Sequence, residues 1–117
     1  MTVSSAELVA AVAKMNDLTR RKLIIWSPVE ISGGLVTASY CAPYENSTIR
    51  ITELRLSPAD RRYDRNKKNS YKLEILDDRG NAIFLFPDIQ GISDLFASVR
   101  ARTGNAEEII RSLLNAK

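Results

Sequence analysis

Hydrophobic positions recur along the chain with a period that changes twice. Between residues 4 and 20 the spacing is helical: Leu8, Val12, Met15 and Thr19 form a stripe that Val9 and Leu18 widen. Ser4-Ser-Ala-Glu7 ahead of it is a capping box, in which the serine hydroxyl accepts from the amide three residues on and the glutamate reaches back. Arg20, Arg21 and Lys22 put positive charge at the C-terminal end. From there the period shortens. Lys22-Leu-Ile-Ile-Trp26 is β-branched and aromatic, predicting a strand that Ser27-Pro28 ends or bends. Ser32-Gly33-Gly34 predicts a hairpin-type turn. Leu35 to Cys41 alternates, with Val36, Ala38 and Tyr40 on one face, and Ala42-Pro-Tyr-Glu-Asn46 predicts the next turn.

The third strand, Ser47 to Leu56, carries a phase conflict: Ile49 and Ile51 share one parity, Leu54 and Leu56 the other. A β-bulge or sharp bend near Thr52-Glu53 would resolve it. Ser57-Pro-Ala-Asp60 predicts a short helical turn. Ser70 to Leu76 is amphipathic, with Tyr71, Leu73 and Ile75 inward and Lys72 and Glu74 outward. Beyond the turn Asp77-Asp-Arg-Gly-Asn81, Ala82 to Phe86 is wholly apolar, which predicts a strand at the centre of a sheet or buried on both faces.

After Pro87 the helical period returns. Ile92, Leu95, Phe96 and Val99 predict a second helix ending at Gly104. Asn105-Ala-Glu-Glu108 opens a third, with Ile109, Ile110, Leu113 and Leu114, joined tightly enough to predict an αα-corner or hairpin that caps the sheet. The expected fold is a single α+β domain over residues 1–117: an N-terminal helix, an antiparallel sheet of about five strands, and two C-terminal helices.

Composition narrows the chemistry. There is no histidine, so the commonest general base and metal ligand are missing, and a Ser-His-Asp triad or Cys-His dyad is excluded. Cys41 stands alone, which rules out an intrachain disulfide and fits a reducing compartment. The longest apolar runs, Leu8 to Ala13 and Ala82 to Phe86, are far too short to span a bilayer, and the first lacks the basic flank of a secretion signal. A cytoplasmic protein without membrane association is the expectation. No cofactor, metal or catalytic motif is legible, so no enzyme is expected. Asp77-Asp-Arg-Gly-Asn81 has the wrong oxygen spacing for an EF-hand and reads as a tight turn. Glu30, Glu45, Glu53 and Glu74 read as outward or loop residues, Cys41 as a small buried hydrophobe, and Trp26 as a core anchor whose indole N–H reaches a carbonyl.

Charge adds one local feature. The chain carries +3, but residues 61–72 alone carry +5, from Arg61, Arg62, Arg65, Lys67, Lys68 and Lys72 against Asp64, which leaves −2 for the remainder. Together with Tyr63 and Tyr71 this is the composition of a nucleic-acid contact, in which cations neutralise phosphates and rings stack on bases. A solvated loop between two strands is the favoured account, since charged loops keep sheet edges soluble and need no ligand. The candidate macromolecule-binding residues are therefore Arg61, Arg62, Tyr63, Arg65, Lys67 and Lys68.

Lys22-Leu-Ile-Ile-Trp26 after an amphipathic helix, Tyr71-Lys-Leu-Glu-Ile-Leu-Asp-Asp-Arg-Gly80, and Leu95-Phe96 in a following helix resemble a type of small uncharacterised bacterial protein, over residues of about 18 to 114. The resemblance implies an α+β accessory protein of bacterial or mobile-element type and supplies no catalytic residues. The expected function is that of a non-enzymatic interaction protein binding another macromolecule, foremost a protein, through its sheet or charged loops. Nucleic-acid binding through the basic segment is the alternative. A homodimer becomes an option if an edge strand or the apolar face of the third helix is left uncovered.

Overall fold

The computed structural model describes residues 2–31, 33–56, 69–103 and 106–116. It is an α+β fold in which helix α1 (Ser5–Arg20) leads into β1 (Ser27–Pro28), β2 (Val36–Tyr44), β3 (Ser47–Arg55), β4 (Asn69–Leu76) and β5 (Ala82–Leu85). Helices α2 (Gly91–Thr103) and α3 (Ala106–Leu114) follow. The strands form one antiparallel meander in sequence order, β1-β2-β3-β4-β5.

The capping box opens α1 as the residues require: Ser4 Oγ accepts from the Glu7 amide and Glu7 Oε1 from the Ser4 amide, both at 3.1 Å. At the other end Lys22 adopts φ 63°. The amides of Lys22 and Leu23 then turn back to the carbonyls of Thr19 and Leu18, at 3.1 and 2.8 Å, which is a Schellman closure. This closure and not a strand follows the helix. Residues 23–26 run without a ladder, pointing Ile24 and Trp26 into the core and Leu23 and Ile25 outward, and pairing begins only at Ser27. Trp26 Nε1 donates to Thr19 Oγ1 at 2.9 Å, a hydroxyl where a carbonyl was expected, and Thr19 Oγ1 donates in turn to Met15 O at 2.7 Å.

β2 runs further than its sequence suggests and absorbs Ala42, Pro43 and Tyr44. Pro43 lies beyond the reach of β1, so on that side its missing amide breaks no ladder. The turn to β3 is only Glu45-Asn46, with Glu45 at φ 54° and Asn46 on the negative side, the sign pattern of a type II′ turn. Glycine suits that first position. Glu45→Gly is therefore expected to stabilise the domain by about 0.5 kcal/mol, relief of a left-handed residue outweighing the entropy glycine adds to the unfolded chain. Urea denaturation checks this, and an unchanged or lower midpoint contradicts it.

One face of the sheet carries Ala38, Tyr40, Ala42, Ile49, Ile51, Tyr71, Leu73, Ile75 and Phe86 and meets both α1 and α2. From α2 come Ile92, Leu95, Phe96 and Val99, all buried, with the Phe96 ring 5.0 Å from Tyr71 and 5.9 Å from Tyr40. The helices approach closely where α2 begins, since a Cβ on Gly91 would stand 3.3 Å from Val12.

Three expectations are corrected here. β5, read as central or doubly buried, is the sheet's edge, and all four of its residues are exposed. In a meander the last strand has a neighbour on one side only, and α2 packs over β3 and β4 instead. The bulge exists, but the extra residue is Thr37 on β2, between Val36↔Leu54 and Ala38↔Glu53, while β3 pairs with β4 without interruption. The two C-terminal helices do not cap the sheet together: α3 lies beside the last turns of α2, and its apolar stripe stays exposed. The expected helical turn at 57–60, the helix end at Gly104 and the cap at Asn105 fall outside the described residues.

Candidate functional site

Glu53 occupies the inward parity that the phase conflict in β3 had left open. It is 7% exposed, on the same face as Ile49 and Ile51. A carboxylate there needs partners. Thr37 Oγ1 donates to Glu53 Oε1 at 2.6 Å and Tyr71 Oη to Oε2 at 3.2 Å. The bulge makes the first bond geometrically available, because an extra residue on β2 re-aims Thr37 onto the inner face. Burial, followed by the charge of Glu53 and the hydrogen bond to it, raises the Tyr71 hydroxyl above the ordinary tyrosine value, with Arg100 opposing. The reading of Glu53 as outward is therefore wrong, and its two hydroxyl partners hold it as a structural clasp at one end of the sheet.

On the opposite face Glu74 has the outward parity expected but is 4% exposed. Arg50 Nη2 lies 2.9 Å from its Oε1 and Lys72 Nζ 3.7 Å from Oε2. Ser39 and Thr52 share a hydrogen bond of 3.1 Å beside them. Loop residues Val29, Glu30, Ile31 and Gly33 lean over this face and close a shallow hollow of about 290 Å³. Cys41 is half-buried next to Arg50, and desolvation raises its thiol above the usual value, outweighing the arginine. A thiol shifted that way is a poor nucleophile at neutral pH. The Asp77 carboxylate accepts the amides of Asn81 at 2.8 Å and Arg79 at 2.9 Å, and these bonds hold its pKa low. With Gly80 at φ 86°, this is a hairpin turn, as its residues suggested.

Glu53, Glu74, Arg50 and Lys72 are thus engaged in contacts within the sheet, and among the described residues the exposed apolar surface takes three forms. The first is the β5 edge, where Ile83 and Leu85 are 60% and 57% exposed. The Phe86 amide donates to Leu73 O at 2.9 Å, so by alternation the backbone groups of Leu85 point away from β4 to the open side. The opposite edge differs, because β1 ends in Pro28, which has no amide to offer. The second is an apolar cleft of about 450 Å³ between α1 and the inner face of the sheet, lined by Leu8, Ala11, Met15, Leu18, Ile75 and Phe84 among others. The third is the exposed stripe of α3.

The residues singled out by charge, Arg61, Arg62, Tyr63, Arg65, Lys67 and Lys68, lie outside the described residues. Of the stretch 61–72 only residues 69–72 are described, and its ring and its cation there part company: Tyr71 packs on Phe96 inside, and Lys72 is exposed beside Glu74 outside. Sequence reasoning passed over the β5 edge, because an apolar strand carries no local mark of what covers it. Among the described residues no helix is long and apolar enough to cross a membrane. Comparison with family models, with curated proteins and with solved structures gives no match.

Proposed function

We propose that this is a small non-enzymatic interaction protein of accessory or regulatory type, which binds another protein by taking an extended segment of it against β5. One observation carries the reading: the sheet ends in an uncharged, exposed strand whose outward backbone groups meet no further strand among the described residues. Natural edges are blunted by charge, proline, a bulge or a covering element; β1 ends in Pro28, whereas β5 is short and carries an extra residue at Ile83, leaving Leu85 as its uncharged outward position. An added strand supplies main-chain hydrogen bonds, and alternate side chains supply specificity against whatever the edge adjoins. Here the inner side adjoins the apolar cleft through Phe84, and the outer side adjoins the Arg50–Glu74 pair through Leu85. The engagement of Glu53, Arg50 and Glu74 in internal contacts fits a binding role better than proton transfer.

The test is selection of peptides from a displayed random library, followed by titration of a labelled binder. Binding is expected to weaken more than tenfold in Leu85→Lys, which introduces the charge natural edges use, and in Leu85→Pro, which removes the outward amide. If no peptide is selected, or if binders ignore both substitutions, the reading fails. Binding instead to DNA or RNA at low salt, abolished when Arg61, Arg62, Arg65, Lys67 and Lys68 become Glu, would favour the nucleic-acid alternative.

A further inference from the structure

The outward side of β5 offers an added strand little backbone to bond. Leu85 turns its N–H and C=O away from β4. The next outward position by alternation, Pro87, has no N–H to give. On the other side the register slips at Ile83, the extra residue between the pairs Ile75↔Phe84 and Leu76↔Ala82. A segment laid against this edge therefore finds one regular residue and two main-chain hydrogen bonds. Two such bonds contribute roughly 5- to 150-fold to an affinity. The freedom lost on association costs about a thousandfold or more. Side chains must supply the difference.

The register says which side chains can. Whichever way the segment runs, its residue facing Leu85 lies on the outer side and the two neighbours of that residue lie on the inner side, because side chains alternate. Behind Leu85 on the outer side stands Glu74, which is buried and already engaged by Arg50 and Lys72. On the inner side, one neighbour comes beside Phe86 and the other beside Phe84. Phe86 is 7% exposed and has little left to offer, whereas Phe84 is 37% exposed although its parity is that of the core. The Phe84 ring stands edge-on to Phe86, with centroids 5.1 Å apart and planes at 84°, and it forms part of the wall of the apolar cleft. A directly opposed residue on an added strand would hold its Cβ about 4.5–5.5 Å from that of Phe84, within reach of the exposed part of the ring.

We infer that the segment taken up by β5 carries an aromatic residue next to the one that faces Leu85, and that this ring packs on Phe84. The inference rests on the edge-strand reading and names what the edge selects. An aromatic side chain buries about 150–250 Å² and gains a ring-to-ring contact that an aliphatic chain lacks. Where the main chain supplies two bonds, that contact decides which segments bind.

Peptides selected from a displayed random library on the wild-type chain test it. Each binder is labelled with fluorescein and titrated by anisotropy, with alanine replacing one residue at a time. One aromatic position is expected whose loss weakens binding more than about tenfold against the wild type and less than about threefold against Phe84→Ala, the coupling of residues in contact. Its ring protons should also show nuclear Overhauser contacts to those of Phe84. Phe84→Thr replaces Phe84→Ala if that variant loses its circular dichroism. Binders that are weakened by Leu85→Pro but carry no aromatic residue coupled to Phe84 overturn this inference and leave the edge-strand reading standing. An aromatic residue whose loss costs the same against both chains does so as well. Binders indifferent to Leu85→Pro overturn both, and so does a library that yields no binder.

Discussion

Replacing Trp26 by alanine is expected to destabilise the domain by about 3–5 kcal/mol, the range for removing a large aromatic from a core. Trp26 is 6% exposed and lies in the cluster that joins both helices to the sheet. Its ring also fixes the path out of α1, because Nε1 bonds Thr19 Oγ1, which is itself anchored on the carbonyl of Met15. Small domains have a total stability of roughly 5–15 kcal/mol, so the variant should be partly unfolded near physiological temperature. Thr19→Val isolates the polar part. It keeps the shape but leaves the indole N–H without its acceptor, at a cost of about 1–3 kcal/mol. Urea denaturation followed by far-UV circular dichroism reads both, since the only tryptophan is the residue removed. A loss below about 1 kcal/mol for Trp26→Ala would mean that the helix-to-sheet crossing is held elsewhere.

The second large effect is expected at Glu53. Burying methionine there in place of a carboxylate gains apolar contact, yet it leaves the Tyr71 hydroxyl without its acceptor and Thr37 with only the longer bond to the carbonyl of residue 53, at 3.3 Å, together a cost of about 2–4 kcal/mol. Glu53→Met should therefore lose about 2 kcal/mol net, and adding Thr37→Val and Tyr71→Phe should recover most of it, a coupling that only residues in contact display. The same cluster responds to pH with a defined sign. The Tyr71 hydroxyl titrates higher in the folded protein than in the unfolded chain, where it ionises at about 10. Stability from this group is complete below that value and is lost as pH rises toward the folded pKa. Tyr71→Phe should flatten the alkaline loss. Additive substitutions and an unchanged alkaline limb would show that the three side chains do not act together.

Elements governed by neighbouring residues were legible in the sequence. The Ser4 cap, the Asp77-to-Asn81 turn, the inward set Tyr71, Leu73 and Ile75, and the α2 stripe all follow from contacts a few residues apart. What depended on distant partners was not. An apolar run such as Ala82 to Phe86 reads the same at the centre of a sheet and at its edge, because exposure is decided by what else covers it. The broken period at Ile51–Leu54 located a conflict between two strands but could not say which of them carries the extra residue. Glu53 looked outward because its polarity is local, whereas the hydroxyls that make its burial tolerable come from 16 and 18 positions away. Likewise the period of α3 announces an apolar face without saying what it meets. The basic stretch from Arg61 to Lys68 stands as a feature of the sequence.

The reading of β5 as a binding edge can be tested at single-residue resolution. Amide hydrogen exchange, compared with and without a selected peptide, reports on the outward N–H of Leu85 directly. Strong protection of that amide in the complex, with little change at Phe84 and Phe86, which face β4, is the predicted result. An unprotected Leu85 amide, with protection confined to α3 or to residues 61–68, would contradict it.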